Sequence, residues 1–329
     1  MRTDTASHPR IIVTRRLPRA VEEDLSARYG AVLNPDDRQF TRDELSAAMR
    51  EHDIVLCTLT DDLSRGTLEA ARGGRVRLLA NFGVGFNHID LAAAAAQGIE
   101  VTNTPGVLTE DTADLTMLLI LTVARRGGEG ERELRAGRWT GWRPTHLLGT
   151  RVNGKVLGIV GFGRIGQAVA ARAHHGFGMR VLYHSRHAAN ADVERATGAI
   201  QSDSLDTLLR ASDFVSLHCR ATPETHHLIN AARLASMQPH AFLVNTSRGD
   251  VVDEDALLAA LDDGRIAGAA LDVFDGEPVV NPRLTGRENV VVLPHLGSAT
   301  MESRVDMGRR AIANIDAFVE SRALPDRIA

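Results

Sequence analysis

Short aliphatic and β-branched runs alternate with amphipathic stretches from the beginning of the chain. In order come "RIIVTRR", "AVEEDLSARYG", "DIVLCTL", "LEAARGG", "VRLLANFG" and "LAAAAAQG", closing near "IEVTNTPG". Strand-length apolar runs separated by segments of helical periodicity predict parallel strands joined by crossover helices, and so a first α/β domain. A long helical region is expected from about Glu110 to Ala136, interrupted at "GGEG". Its apolar part, "LTMLLILTVA", is too short to span a bilayer and reads as a buried helix. After the loop "GRWTGWRPTHLLGTRVNG" a second alternating series starts at the strand "KVLGIV" and runs through "MRVLYH", "SLDTLLRAS", "DFVSLHC" and "AFLVNTS" to "AGAALDVF" and "NVVVLPH". Within it, Asp253 is placed to cap the helix "DEDALLAALDDG" and Gly264 to stop it. The series predicts a doubly wound sheet. In the tail from about Thr300 to Glu320, Val305, Ile312, Ile315 and Phe318 recur at near-helical spacing, which predicts a helix returning to the first domain.

Length agrees with this division, since 329 residues exceed the usual size of one compact domain. A net charge of -4 excludes a broad electrostatic footprint for nucleic acid, so any phosphate binding should be local. Cys57 and Cys219 stand far apart and in no metal-like spacing, which fits a reduced compartment; a cytoplasmic protein without a metal is expected. The N-terminal "MRTDTASHPR" lacks an apolar signal core, and no membrane partner is expected.

The first chemically informative motif is "VLGIVGFGRIGQAVAARAHHGFG". Gly161, Gly163 and Gly166 follow a strand and open a helix whose inward positions are Ile165, Val169, Ala173 and Phe177. The first glycine permits a tight turn, the second lets backbone approach a pyrophosphate, and the third lets the helix pack on the strand. Arg164 and Ile165 complete the turn as candidate cofactor-binding residues. The next strand ends in "VLYHSRH". An acid there would accept bonds from ribose hydroxyls and repel a 2′-phosphate; instead Ser185 and Arg186 can bind one, which suits NADP(H), with NAD(H) as the other cofactor. Charge-assisted bonds from Arg186 would favour the phosphorylated form about tenfold to a hundredfold. The later strand ending in "LHCRATPE" would reach the same crevice, with Cys219 as a small apolar contact and Arg220 as a second cation.

Three further strand ends each carry one useful group: Arg248 in "NTSRGDVVDE", Glu277 in "LDVFDGEP" and His295 in "VLPHLGSAT". Together they supply a cation for a carboxylate or keto oxygen, a proton donor and acceptor, and a carboxylate to orient the imidazole.

In their order "GFGRIG", "NTSRGDVVDEDAL", "LDVFDGEP" and "PHLGSAT" resemble the D-2-hydroxyacid dehydrogenase family over nearly the whole chain. The segments "RWTGWRP" and "YHSR" are most similar to its glyoxylate/hydroxypyruvate reductase branch. The resemblance implies a Rossmann-type NAD(P)-binding domain, 104–295, inserted in a flavodoxin-like substrate domain split into 1–103 and 296–329. It also implies a homodimer whose arm comes from the central domain. Arg248 would hold the substrate carboxylate and keto oxygen, His295 would protonate that oxygen as hydride arrives, and Glu277 would favour the imidazolium and fix its tautomer. Val84 and Gly85 in "NFGVGFNHID" would offer backbone N–H groups to the carboxylate; Thr246, Ser247 and Asp272 would lie near the nicotinamide, with Asp272 reaching its carboxamide. Trp142, which shares one polar loop with Trp139, would narrow the partner subunit's pocket. The chain departs from the usual pattern at Arg220, where proline is common, and in "NFGVGFNHID", where tyrosine and aspartate are frequent.

The expected function is therefore NADPH-preferring reduction of glyoxylate to glycolate and hydroxypyruvate to D-glycerate. The alternatives are an NAD-dependent dehydrogenase of a bulkier D-2-hydroxy acid and a nucleotide-sensing, co-repressor-like binding protein.

Overall fold

The structure, a computed structural model, describes residues 9–329. The first eight residues of the stretch that lacks an apolar signal core lie outside the described residues. The chain divides into two compact units, Met1–Leu108 with Thr300–Ala329, and Thr109–Ala299. The changes fall a few residues beyond 103 and 295, at the starts of the helices Thr109–Ala124 and Met301–Val319.

In the first unit, β1 (Ile11–Val13), β2 (Ile54–Thr58), β3 (Leu78–Phe82) and β4 (Glu100–Thr102) form a parallel sheet in that order. Val32 adds a single parallel bridge outside β1, and Arg327 a single antiparallel bridge outside β4. Counted with Val32 as a reduced strand, this is the flavodoxin-like order. Both sheet faces are covered, as parallel sheets require. One face packs Ile54, Leu56, Leu78 and Ala80 against Val21 and Leu25 of the helix Arg19–Tyr29 and Met307, Ile312 and Ile315 of Met301–Val319. The other packs Val55, Leu79 and Val101 against Met49, Leu68 and Ala94. Met49 belongs to the helix Arg42–Glu51, opened by a reciprocal Thr41–Glu44 capping box that the periodicity reading passed over.

The second unit contains β5 (Val156–Val160), β6 (Arg180–His184), β7 (Ala199–Gln201), β8 (Phe214–Leu217), β9 (Phe242–Asn245), β10 (Gly268–Leu271) and β11 (Val290–Val292). Their order is β11-β10-β9-β8-β5-β6-β7, all parallel, so the direction of winding reverses at β5. That reversal leaves a crevice outside the strands' C-terminal ends, where doubly wound sheets bind ligands. The helices Thr109–Ala124 and Arg164–Phe177 cover one face, with Val169 and Ala173 fully buried. Ile165 and Phe177, also expected inward, are partly buried. The other face carries Leu205–Ala211, Ala231–Ser236 and Glu254–Asp262. The Asp253 side chain caps the last of these through Ala256 N, and Gly264 follows at φ 64°.

One boundary differs from the periodicity. The break in the long helical region falls at Arg126, in the left-handed conformation at φ 54°, whereas "GGEG" opens the following helix, Gly127–Arg135. Arg126 folds back onto Glu129 with two bonds of 2.7 Å, which fixes the turn ahead of the glycines. Among the described residues no helix is long and apolar enough to cross a membrane.

His218, just after β8, bonds through Nε2 to Ser216 Oγ at 2.8 Å, and burial pushes its pKa from 6.5 down to about 4. A histidine held neutral in the fold contributes stability above its unfolded pKa, lost as pH falls toward its folded one. Cofactor-free melting temperatures of His218→Gln should therefore fall less steeply than those of the parent between pH 6.5 and about 4. Parallel curves would remove His218 from the acid limb.

Candidate active site

The site is built on strand ends. Because every strand of the second unit runs the same way, the segments after β5, β6, β8, β9, β10 and β11 leave the sheet at one edge.

After β5, Gly161 has φ 91°, and a Cβ there would lie 2.6 Å from Cys219 N. A Cβ on Gly166 would lie 2.4 Å from Gly161 O, so the helix Arg164–Phe177 starts directly against the turn. Gly163 is exposed, faces open space where its Cβ would be, and makes no side-chain cap. An uncapped helix N-terminus behind a glycine turn leaves backbone N–H groups and the positive dipole end available to an anion. These residues fit the pyrophosphate of a dinucleotide. Arg164 is exposed and Ile165 half-buried at this N-terminus.

At the end of β6, Arg186 is exposed. Ser185 Oγ donates to His187 O at 2.5 Å, which leaves the hydroxyl oxygen as an acceptor. Arg220, after β8, is also exposed. Burial raises the neighbouring Cys219 thiol to about 11, so it stays protonated and packs as an apolar group. Glu224, in the same loop and absent from the sequence reading, has its carboxyl lowered by the Thr222 hydroxyl and its own amide, and to a lesser degree by the charge of Arg186. An acid within electrostatic reach of Arg186 bears directly on any phosphate selectivity there.

The catalytic candidates follow β9, β10 and β11. His295 Nδ1 and Glu277 Oε2 are 2.8 Å apart, with 27% and 28% of their side-chain surfaces exposed. Glu277 Oε1 accepts from Phe274 N at 2.9 Å. Burial pushes the Glu277 carboxyl up, but the hydrogen bond and charge of His295, the Phe274 amide and the Arg248 charge together hold it below its ordinary value. Arg248 is half-buried and anchored through Nη1 to Ser247 O at 2.6 Å. Burial lowers its pKa, opposed by the charges of Glu277 and Asp250. A guanidinium nevertheless stays charged at any working pH. The structure thus brings Arg248, Glu277 and His295 together.

Their supports were less legible. His295 is left-handed at φ 55°, an uncommon conformation for a residue with a side chain. Asp272 is 1% exposed; Oδ1 accepts from Leu296 N at 2.7 Å and Oδ2 from Gly297 N at 2.8 Å. Burial raises its pKa against those amides and the His295 charge. Thr112 Oγ1 donates to Gly297 O at 3.0 Å, so the segment after His295 is held through both its amides and a carbonyl. Thr246 Oγ1 pairs at 3.0 Å with Thr116 Oγ1, one helical turn from Thr112. Asn245 accepts from Ser247 N and Oγ and donates to Arg248 O at 2.8 Å, shaping the turn that presents Arg248. The available signals were a polar residue ending the apolar strand "FLVN" and two threonines four apart in an apolar helix. Gly249 was also missed: a Cβ there would lie 1.9 Å from Phe274 C, so the Arg248 turn packs backbone to backbone against the segment that holds Glu277.

Val84 and Gly85 form a turn after β3 in the other unit. Trp139 and Trp142 are 52% and 81% exposed. Among the described residues no group of His, Cys, Asp or Glu is arranged to hold a metal.

Residues 117–297 match the family described as D-isomer specific 2-hydroxyacid dehydrogenase, NAD binding domain. The chain is 44% identical to a glyoxylate reductase of Thermococcus litoralis over 97% of this chain and 96% of that one. It is 40% identical to a glycerate dehydrogenase of Hyphomicrobium methylovorum, over 95% and 96% of the two chains. Among solved structures it is similar to an NADPH-dependent glyoxylate/hydroxypyruvate reductase of Sinorhizobium meliloti in complex with NADP and malonate, with a TM-score of 0.86, 34% identity and coverage of 98% and 97%. With the glycine turn, the doubly wound sheet and the arginine, glutamate and histidine on one edge, these similarities establish that the chain belongs to the D-isomer specific 2-hydroxyacid dehydrogenase family, as an NAD(P)-dependent enzyme.

Proposed function

We propose that the protein reduces small 2-keto acids, glyoxylate to glycolate and hydroxypyruvate to D-glycerate, with NADPH preferred over NADH. The observation that carries this reading is the 2.8 Å His295–Glu277 pair within electrostatic reach of Arg248. The similarity to glyoxylate reductases and to a glycerate dehydrogenase supports the substrate class.

Gly161, Gly163 and Gly166 hold the pyrophosphate, and Thr246, Ser247 and Asp272 border the nicotinamide end. When bound, the nicotinamide cofactor supplies the hydride that reduces the keto carbon. The guanidinium of Arg248 binds the carboxylate and the keto oxygen through its planar set of donors. His295 donates Nδ1–H to Glu277 and carries the transferable proton on Nε2. As the carbonyl π pair moves onto oxygen, Nε2–H gives its proton to that oxygen and His295 becomes neutral. Glu277 remains ionised throughout, consistent with its lowered pKa. Val84 and Gly85 meet the substrate carboxylate with their amides.

Arg186 selects the 2′-phosphate, joined by Ser185 when its hydroxyl turns from His187 O to donate to the phosphate, with Arg220 as a second cation and Cys219 as packing. The absence of an acid at the end of β6 and the exposure of Arg186 support this. The helix Gly127–Arg135 buries none of its residues, and Leu134, Trp139, Trp142 and Leu148 are exposed in and after it, which supports a homodimer formed through this arm with Trp142 reaching the partner's pocket.

His295→Ala should lower kcat for glyoxylate reduction about 10²–10⁴-fold, the usual contribution of general acid catalysis. Unimpaired turnover would overturn the mechanism. Exchanging Ser185→Asp together with Arg186→Ala should shift the NADH to NADPH ratio of kcat/KM about tenfold to a hundredfold toward NADH. A ratio that stays put assigns the phosphate to another group.

A further inference from the structure

The turn after β3 is fastened from one side. Asn81 Nδ2 donates to Gly83 O at 3.1 Å and to Gly85 O at 2.9 Å. Asn103 Nδ2 donates to Val84 O at 2.9 Å, and Thr104 N donates to Gly83 O at 3.0 Å. Three consecutive carbonyls are thus all engaged from the adjacent ends of β3 and β4. Both asparagines are buried, at 1% and 8% exposure.

A trans peptide sets its N–H opposite its C=O, so fixing one carbonyl fixes the amide of the next residue. The Gly83 carbonyl sets the Val84 amide, the Val84 carbonyl the Gly85 amide, and the Gly85 carbonyl the Phe86 amide. Among the described residues, none of these three amides donates to another protein group. Successive free amides in a tight turn make an anion-binding concavity. A second observation points the same way: Asn81 Oδ1 is buried without a hydrogen-bond partner. A side chain selected only for stability would satisfy that atom; one that must place both N–H groups on a loop cannot always do so.

We propose that Asn81 and Asn103 are positioning residues that pre-set the amides of Val84, Gly85 and Phe86 for a substrate carboxylate, with Phe86 as a third donor. This rests on the reading above that the turn receives that carboxylate. Preorganised donors bind without first reordering the loop, so removing the clamp weakens the anion in the ground and transition states alike. The kinetic signature is a raised KM with kcat intact.

The test compares Asn81→Ala and Asn103→Ala with Asn34→Ala. Asn34 is likewise buried and donates from Nδ2 to two backbone carbonyls, Thr14 O at 2.8 Å and Arg38 O at 2.7 Å. It lies beyond Val32, three strand positions from β3. In both clamp variants the KM for glyoxylate should rise about tenfold, the effect of weakening one hydrogen bond to a charged group. Saturating kcat and the KM for NADPH should change less than about twofold, and Asn34→Ala should leave the glyoxylate KM unmoved. Independently of turnover, the rise in melting temperature that oxalate gives the parent should shrink in both clamp variants. An unchanged glyoxylate KM in Asn103→Ala overturns the proposal, as does an equal rise in Asn34→Ala; if Asn81→Ala does not fold, Asn103→Ala decides alone. A parent protein that reduces no keto acid overturns the underlying reading instead, and the oxalate shifts then decide on the clamp.

Discussion

Buried Asp272 joins the ends of three strands, and the placement of His295 depends on it. Its backbone N–H donates to Asn245 O at 2.9 Å, its carbonyl accepts from His295 N at 2.9 Å, and its two carboxylate oxygens take the next two amides. The ends of β9, β10 and β11 are thereby locked in register beyond the point where strand pairing stops. A left-handed histidine is costly to hold in place, and a segment tied at both amides and at the Gly297 carbonyl leaves it no easier conformation. Charge-assisted bonds from backbone to carboxylate are among the stronger hydrogen bonds available, and burial strengthens them further.

The architecture was largely legible because parallel strands buried on both faces must be written as apolar runs, and their crossover helices as amphipathic ones. The glycines at 161, 163 and 166 were legible for a related reason, since each answers a backbone demand that other residues meet badly. Arg248, Glu277 and His295 could be picked out by chemistry, because few residue types can hold an anion or carry a proton. What stayed hidden is the supporting set. Thr112 reaches a carbonyl 185 residues away and Thr116 a hydroxyl 130 residues away, contacts that only the fold creates, whereas Asn245 works inside its own turn, on Ser247 and Arg248. The bonds from Asp272 to the amides of Leu296 and Gly297 were equally hidden, because nothing in "LDVFDGEP" shows which backbone its carboxylate meets. The helix break at Arg126 escaped notice because glycines nearby offered a more obvious stop, whereas an arginine with φ 54° depends on its own salt bridge to Glu129.

The two units apply one design to different ends. In each, buried polar side chains at the C-terminal edge of a parallel sheet fasten the backbone, leaving other groups to face a ligand. In the nucleotide-binding unit the fastened backbone carries a charged side chain; in the other the fastened backbone is a turn whose carbonyls are all engaged. Side-chain chemistry therefore makes the Arg248 segment legible in the sequence, while the turn at Val84 and Gly85 was legible only through the family resemblance and its asparagines read as ordinary loop residues.

The single-residue pairings at the margins of the four-stranded sheet carry a consequence for solubility. An open strand margin offers unpaired amides and carbonyls to other chains and invites intermolecular sheet growth. Here β1 is flanked by the brief bridge at Val32, and β4 by the final segment, where Val101 N donates to Ala329 O, Ile328 N to Val101 O and Asn103 N to Asp326 O. The Arg310–Asp326 ion pair and the bonds between Asn314 and Asp326 hold that segment in place from the neighbouring helix. A sheet of four short strands is thus sheathed on both sides, and the segment over β4 acts as a guard against aggregation.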